Sequence, residues 1–305
     1  MSQLRFDNRV AVITGAGRGL GRAYALLLSK LGAKVVVNDI GGSLNGSGND
    51  IGPAQSVVDE IRSQNDEAIA NTDSVATPEG GKAIIQSALD AYGRIDILVH
   101  NAGNVRPASL KEMSYEDFES VLDVHLRGAF HVLRAAFPAM CEQSYGRIVL
   151  TSSIGGLYGN QNVANYAVSK SGMIGLCNVA ALEGESEGVK CNVIVPGAVT
   201  RMAEGIDISA YPPMEPDLVA PVVGWLCHEQ CDINGEMLVS IAGRVAKAFI
   251  SETQGVYQPH WSVDEVGQKM AHIRDTNQAL VLPVVPSGHV DHIRYSFEMA
   301  AKANN

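Results

Sequence analysis

The chain has 305 residues, 46 % of them hydrophobic and 18 % charged, which suits a globular protein with a sizeable core and excludes disorder. Acidic residues outnumber basic ones 33 to 23 for a net charge of −10, and no basic run breaks that balance, which excludes a nucleic-acid binder. No stretch approaches the ~18 consecutive apolar residues of a membrane span, no export signal opens the chain, and five scattered cysteines suit a reducing compartment, so a cytoplasmic protein is expected.

In chain order, short β-branched runs alternate with longer segments of helical period. The first strand covers 9–14, a glycine-rich turn follows, and a helix covers 19–31. A strand over 34–39 leads into Gly41-Gly42-Ser43-Leu44-Asn45-Gly46, too rich in glycine for either element and read as a surface loop. Next come a helix over 53–64, a strand over 67–73 and a helix over 78–92, opened by Thr77 as cap with Pro78 at the first helical position. A strand over 95–100, a helix over 114–143, a strand over 147–152 and a helix over 161–187 continue the alternation. Strands over 190–196 and 236–241 flank a helix over 215–229. Runs such as Val35-Val36-Val37 and Ile97-Leu98-Val99 are apolar without alternating, as in strands covered on both faces. The expected fold is a doubly wound α/β domain over 1–243, with seven parallel strands joined by right-handed crossovers. Residues 244–305 lose the rhythm but keep apolar clusters around Val245, Phe249 and Val281, so they are expected to pack on that domain or on a partner subunit. Cys227 and Cys231 have no second ligand pair at zinc spacing, and no metal is expected.

Between the first strand and the first helix stands Thr14-Gly15-Ala16-Gly17-Arg18-Gly19-Leu20-Gly21. Glycines there allow a tight turn, let backbone N–H groups approach a pyrophosphate, and let the helix sit close to the sheet. The spacing is T-G-x-x-x-G-x-G, on Thr14, Gly15, Gly19 and Gly21, rather than G-x-G-x-x-G. Asp39 ends the second strand, where a carboxylate accepts both hydroxyls of an adenosine ribose. Arg18 pulls the other way, since a basic residue in the turn can pair with a 2′-phosphate. A carboxylate beside a phosphate dianion weakens binding directly, so NAD is expected rather than NADP.

Tyr166 and Lys170 share one face of a helix, one turn apart, and Ser153 lies at the carboxyl edge of the fifth strand, where α/β sites form. Together with the glycine turn, these residues resemble the short-chain dehydrogenase/reductase family. Asn101-Ala102-Gly103 after the fourth strand, Pro196-Gly197 after the sixth and Thr200 downstream belong to the same resemblance. It implies a Rossmann fold and a homodimer or homotetramer. It also implies an NAD site built from Gly15, Arg18, Gly19, Leu20, Gly21, Asp39, Asp73, Ser74, Asn101, Ala102, Gly103, Tyr166, Lys170, Pro196, Gly197, Val199 and Thr200.

Moving hydride from a secondary alcohol to a nicotinamide requires a base for the hydroxyl proton. A free Tyr titrates near ~10, and bringing it to about 7 takes ~4 kcal/mol of preference for the phenolate. Lys170 and the positive nicotinamide are expected to supply that preference together. Ser153 is expected to orient the substrate oxygen and donate to it as charge develops. The resemblance gives Lys170 the nicotinamide ribose hydroxyls as well. It places an Asn in the middle of the fourth helix, supporting a water-linked relay to the Lys. Here His125 stands in that place, and either keeps such a relay or is a satisfied interior histidine. The segment after Thr200 is short for a substrate lid, so the C-terminal extension is expected to border the pocket.

Finer features are similar to the (3R)-hydroxyacyl-CoA dehydrogenase unit of peroxisomal multifunctional β-oxidation enzymes. They are Val36-Val37-Asn38-Asp39-Ile40-Gly41-Gly42 with its insertion, Val124-His125-Leu126-Arg127-Gly128, Thr200-Arg201-Met202 and Trp225-Leu226-Cys227-His228-Glu229. The sequence ends Lys302-Ala303-Asn304-Asn305 rather than in a peroxisomal tripeptide, so a stand-alone relative is expected. Three functions compete. One is NAD-dependent oxidation of a 3-hydroxyacyl-CoA, another oxidation of a free secondary alcohol such as a hydroxysteroid, and the third a non-catalytic NAD(H) sensor. The intact Ser153, Tyr166 and Lys170 disfavour the third. Arg106, Arg201, Arg244 and Lys247 are the cations available to the phosphates of an acyl-CoA thioester.

Overall fold

The apolar runs become the strands of one sheet in a computed structural model that describes residues 4–303 apart from 44, 47 and 200–211. In chain order the elements are β1 Val10–Thr14, α1 Gly19–Lys30, β2 Lys34–Asn38, α2 Gly52–Ser63, β3 Ala68–Asn71, α3 Pro78–Tyr92 and β4 Ile97–His100. Next come α4 Tyr115–Leu122, a π-turn Asp123–Arg127, α5 Gly128–Glu142, β5 Gly146–Thr151, α6 Ile154–Tyr158, α7 Ala164–Gly184 and β6 Val189–Gly197. The chain continues through α8 Ala220–Cys227, β7 Met237–Ile241, β8 Arg244–Ala248, α9 Val263–Ile273 and α10 His289–Ala303.

The strands lie in the order β3-β2-β1-β4-β5-β6-β7-β8, and neighbours from β3 to β7 run parallel. The order reverses between β1 and β4, and such sheets bind ligands in the crevice beyond the carboxyl ends of those strands. The sequence predicts seven strands; the sheet has eight. Ile241 turns back through Ala242 and Gly243, at φ 50° and 79°, and β8 adds to the β7 edge. Two central residues in the left-handed region make this a tight hairpin. β8 carries Arg244 and Lys247 and has no fully buried residue, which hides it from a search for apolar runs.

β1, β4 and β5 are buried along their whole length. On one face, Ile13, Tyr24, Leu28, Val35, Ile61, Val223 and Leu226 join one cluster beneath α1, α2 and α8, each large side chain contributing about 1.5–3 kcal/mol. α3 begins as the sequence predicts: Thr77 accepts from the Gly80 N–H at 3.1 Å, and Gly93 closes the helix at φ 75°. The helix predicted over 114–143 is interrupted. Gly128 N–H reaches back five residues to the Asp123 carbonyl, so one extra residue is accommodated around His125. The reason is tertiary, because the His125 carbonyl lies 2.9 Å from His100 Nε2 at the end of β4.

The chain divides into two units, Met1–Lys247 and Ala248–Asn305. In the second, Glu252 bridges Leu280, and α9 starts from a capping box in which Ser262 accepts from the Glu265 N–H while the Glu265 carboxylate accepts from the Ser262 N–H. α10 carries an exposed apolar stripe of Val290, Ile293 and Phe297. Among the described residues, no helix is long and apolar enough to cross a membrane.

Candidate active site

A cavity of 370 Å³ opens at the carboxyl ends of the strands. Its wall holds Gly15, Arg18, Gly19, Leu20, Asp39, Ser74, Asn101, Ala102, Gly103, His125, Tyr166, Lys170, Pro196 and Gly197, all expected from the sequence. Gly21, Asp73, Ser153 and Val199 stand outside the wall, and Thr200 lies outside the described residues. Gly21 serves the turn from behind, since a Cβ there would collide with the Gly15 carbonyl. Asp73 closes the ends of β2 and β3, its carboxylate accepting from Asn71 Nδ2 at 2.8 Å and its carbonyl from Asn38 Nδ2 at 2.9 Å. Val199 N–H donates to the Met214 carbonyl. The glycine-rich loop is more than surface, because Gly42, Ser43 and Gly46 line the cavity.

Gly15 and Gly19 occupy the left-handed region at φ 63° and 53°. A Cβ on Gly15 would stand 2.8 Å from Ala102 Cα, so the two loops meet only with glycine there. α1 begins at Gly19 with no acidic residue in its first turn and no side-chain cap, which leaves its N–H groups and positive dipole end to an anion. Arg18 Nη1 is buried beside it without a partner. These features fit the pyrophosphate of a dinucleotide. Asp39 is fixed from two sides: Oδ2 accepts from the Gly17 N–H at 2.9 Å and Oδ1 from the Gly41 N–H at 2.7 Å. Gly17 is a site residue that sequence reasoning passes over. Its signal is an extra glycine in the turn, where a Cβ would stand 2.9 Å from Asp39 Oδ2.

α7 presents Tyr166 and Lys170 to the cavity, and β5 ends just before Ser153, which caps α6 by accepting from the Gly155 N–H at 3.1 Å. Lys170 Nζ donates to the Thr151 carbonyl at 2.7 Å and lies 5.6 Å from the Tyr166 ring centroid. Burial pushes Lys170 down to about 7. Tyr166 is also pushed by burial, upward, and the nearby Ser153 hydroxyl acts against that. In the chain by itself Tyr166 is thus drawn toward its neutral form. Desolvation wins, and the ammonium is turned to a backbone carbonyl.

His125 is wholly buried. Its ring stands edge-on to Tyr166 at 5.3 Å and 84°. Nε2 lies 2.8 Å from the Asn104 carbonyl and 3.1 Å from the Asn104 N–H, while Nδ1 has no partner. Burial and the charge of Lys170 hold this imidazole far below its ordinary pKa, so it is neutral. Arg18 Nη1, Asn104 Oδ1, His125 Nδ1 and Thr151 Oγ1 are buried and unpartnered, all on residues of the cavity wall, as in a wall that receives a polar ligand. Asn104, Thr151 and His100 are neighbours that the sequence does not single out, because only strand register brings them here.

Of the cations expected to serve a CoA, Arg106 donates to Asp117 Oδ1 and to the Asn45 carbonyl, both at 3.1 Å, and Lys247 pairs with Glu236 at 2.7 Å. Arg244 is exposed, and Arg201 lies outside the described residues.

The chain belongs to the short chain dehydrogenase family, whose profile matches residues 9–208. Peroxisomal multifunctional enzyme type 2 of Drosophila melanogaster is 51 % identical over 255 residues, 83 % of this chain and 42 % of that one. A putative short-chain type dehydrogenase/reductase of Mycobacterium tuberculosis is 44 % identical over 281 residues, 90 % of this chain and 97 % of that one. The solved structure of the full-length Drosophila enzyme aligns with a TM-score of 0.82 at 40 % identity, over 98 % of this chain and 50 % of that one. The chain therefore spans half or less of that enzyme's length. Family membership makes it an oxidoreductase that works on hydroxyl donors with a nicotinamide cofactor.

Proposed function

We propose that this dehydrogenase oxidises the C3 hydroxyl of a 3-hydroxyacyl-CoA to the ketone, with NAD⁺ as hydride acceptor. The observation that carries the chemistry is the meeting of Tyr166 and Lys170 with the glycine turn in one cavity wall, with Ser153 and the Tyr166 ring flanking Gly155 from the same side. Support for the substrate comes from the likeness to multifunctional relatives. Support for NAD comes from Asp39, which two backbone N–H groups hold at the ribose end of the cavity, where a 2′-phosphate dianion would meet a fixed carboxylate.

A bound nicotinamide supplies the hydride acceptor; the chain handles the proton. Gly15, Arg18 and Gly19 would hold the pyrophosphate, and Asp39 the adenosine ribose. Tyr166 takes the substrate hydroxyl proton as the carbinol carbon gives up its hydride, so the alcohol leaves as a ketone and the phenolate becomes a phenol. Ser153, at the start of α6 beside Gly155 and the Tyr166 ring, would donate to the substrate oxygen as charge develops on it. Lys170, pushed down to about 7 by burial, biases Tyr166 toward the phenolate whenever it is charged.

A second reading, oxidation of a free secondary alcohol, is favoured by one observation: Arg106 and Lys247 are already paired and leave few cations for CoA phosphates. A panel of 3-hydroxyacyl-CoA thioesters and free secondary alcohols, followed by NADH absorbance, separates the two. Higher kcat/KM for thioesters than for the matching free alcohols supports the first reading, and the reverse order replaces it with the second.

A further inference from the structure

His100 ends β4 and is wholly buried, one residue before Asn101 of the cavity wall. Its Nδ1 lies 3.1 Å from the Thr14 hydroxyl, and its Nε2 lies 2.9 Å from the His125 carbonyl in the π-turn. The Thr14 oxygen also accepts from the backbone N–H groups of Asn101 and Ala102, each at 3.1 Å. A threonine hydroxyl has two lone pairs and one proton. With both lone pairs taken, the proton goes to His100 Nδ1. Nδ1 is therefore an acceptor, the imidazole is neutral, and Nε2–H donates to the His125 carbonyl. The titration direction agrees, since burial and the charge of Lys170 push His100 down to about 3.

The hydrogen-bonded carbonyl belongs to the residue on which the π-turn is centred. Along the same residue, the His125 ring packs on the edge of Tyr166 and is pinned at Nε2 by Asn104. A π-turn held by one side chain has an ordinary α-helical alternative with a different direction for that ring. We propose that His100 is a positioning residue of the reaction: a neutral tie between the glycine turn and the π-turn that keeps His125 against Tyr166. It acts through His125 and Tyr166. The tie also keeps a second positive charge away from Lys170, because its tautomer leaves no room for a proton on Nδ1.

The inference rests on the dehydrogenase reading for its kinetic arm, and a spectroscopic arm stands apart from it. In protein labelled with ¹⁵N-histidine, His100 is expected to give the signature of a neutral ring protonated at Nε2, unchanged from pH 5 to 9. A proton on Nδ1, or titration in that range, overturns the proposal whatever the substrate proves to be. In the kinetic arm, His100→Phe keeps a ring and removes both hydrogen bonds, while Thr14 retains its bonds from Asn101 and Ala102. kcat is expected to fall about 10- to 100-fold, as for a misplaced catalytic group. NADH affinity, read by fluorescence, is expected to hold within about threefold. The alkaline limb of the kcat profile, where Lys170 loses its charge, is expected to move to higher pH, as a loosened site hydrates Lys170 and raises its pKa. His100→Gln, whose amide N–H can reach the same carbonyl, should recover most of the turnover. A Phe variant that folds and matches the wild-type kcat and pH profile overturns the assignment. Should Phe fail to fold, Gln decides: turnover within about threefold of wild type supports the tie, and a larger loss in a folded Gln variant overturns it.

Discussion

Burial moves Tyr166 and Lys170 in opposite directions, the phenol above its ordinary value and the ammonium down to about 7, so each is drawn toward its neutral form. A base poised that way needs positive charge brought to it at the moment of reaction, and Lys170 lies close enough to provide part of it. Tyr166→Phe removes the proton acceptor alone, so kcat is expected to fall about 10²- to 10⁴-fold with NADH affinity intact, as single-turnover kinetics and a fluorescence titration can show. The lysine leaves a second mark, on stability. Its folded pKa lies below its unfolded value of 10.5, so between about 7 and 10.5 the unfolded chain binds more protons and stability rises with pH. Below about 7 the cost of burying the ammonium is present in full. Lys170→Met is thus expected to melt highest relative to wild type near pH 6–7, with that margin shrinking steadily toward pH 10 in thermal scans. At the ribose end, Asp39→Ala should narrow the preference for NAD⁺ over NADP⁺, measured as the ratio of kcat/KM values. An unchanged ratio would mean that Arg18 governs the choice. Tyr166, Lys170 and Asp39 are legible in the sequence because each is marked by local spacing from a turn, a strand end or a helical neighbour. Asn104, Thr151 and His100 carry no such mark, since they become neighbours only when β1, β4 and β5 come into register.

The elements show the same division between local and tertiary signals. β1 to β7 and the helices between them follow hydrophobic period and turn chemistry, and α3 starts and stops at Thr77 and Gly93 as those residues dictate. The π-turn is invisible to periodicity, because the apolar positions on both sides continue as one helix while the extra residue is stabilised from β4. β8 escapes for another reason: an edge strand with charged side chains has neither an apolar run nor a buried face. Gly103 joins the π-turn to the dinucleotide loop, because a Cβ there would collide with the His125 ring. Gly103→Ala is expected to displace that ring, lowering stability by about 1–3 kcal/mol in denaturant titrations, as overpacking does. It should also cost turnover beyond what the stability loss explains, measured well below the melting temperature. An Ala variant with wild-type stability and kcat would show that the π-turn yields freely and that its geometry is not needed for catalysis.

At the scale of the whole molecule, the buried residues among those described all lie before Ile241. The first unit therefore holds a complete core of its own, and a chain truncated after Lys247 is expected to fold and to bind NADH with wild-type affinity. The second unit reads differently in a lone chain. Phe249, Ile250, Val263 and Phe297 expose 56 %, 70 %, 90 % and 70 % of their surface, far more than large apolar groups usually show to water without a partner. In the first unit Phe130 and Val179 are about half exposed as well, on α5 and α7. Apolar surface on both units is what a symmetric assembly would cover, at a gain of roughly 1.5–3 kcal/mol for each large side chain fully buried. The intact chain is accordingly expected to run as a dimer or tetramer in light scattering. Removal of 248–305 should then lower the assembly state, raise KM for the substrate, or do both, while the affinity for NADH stays put. A truncated protein with unchanged size and unchanged KM would assign assembly to the helices of the first unit alone and leave the C-terminal unit without a part in the reaction.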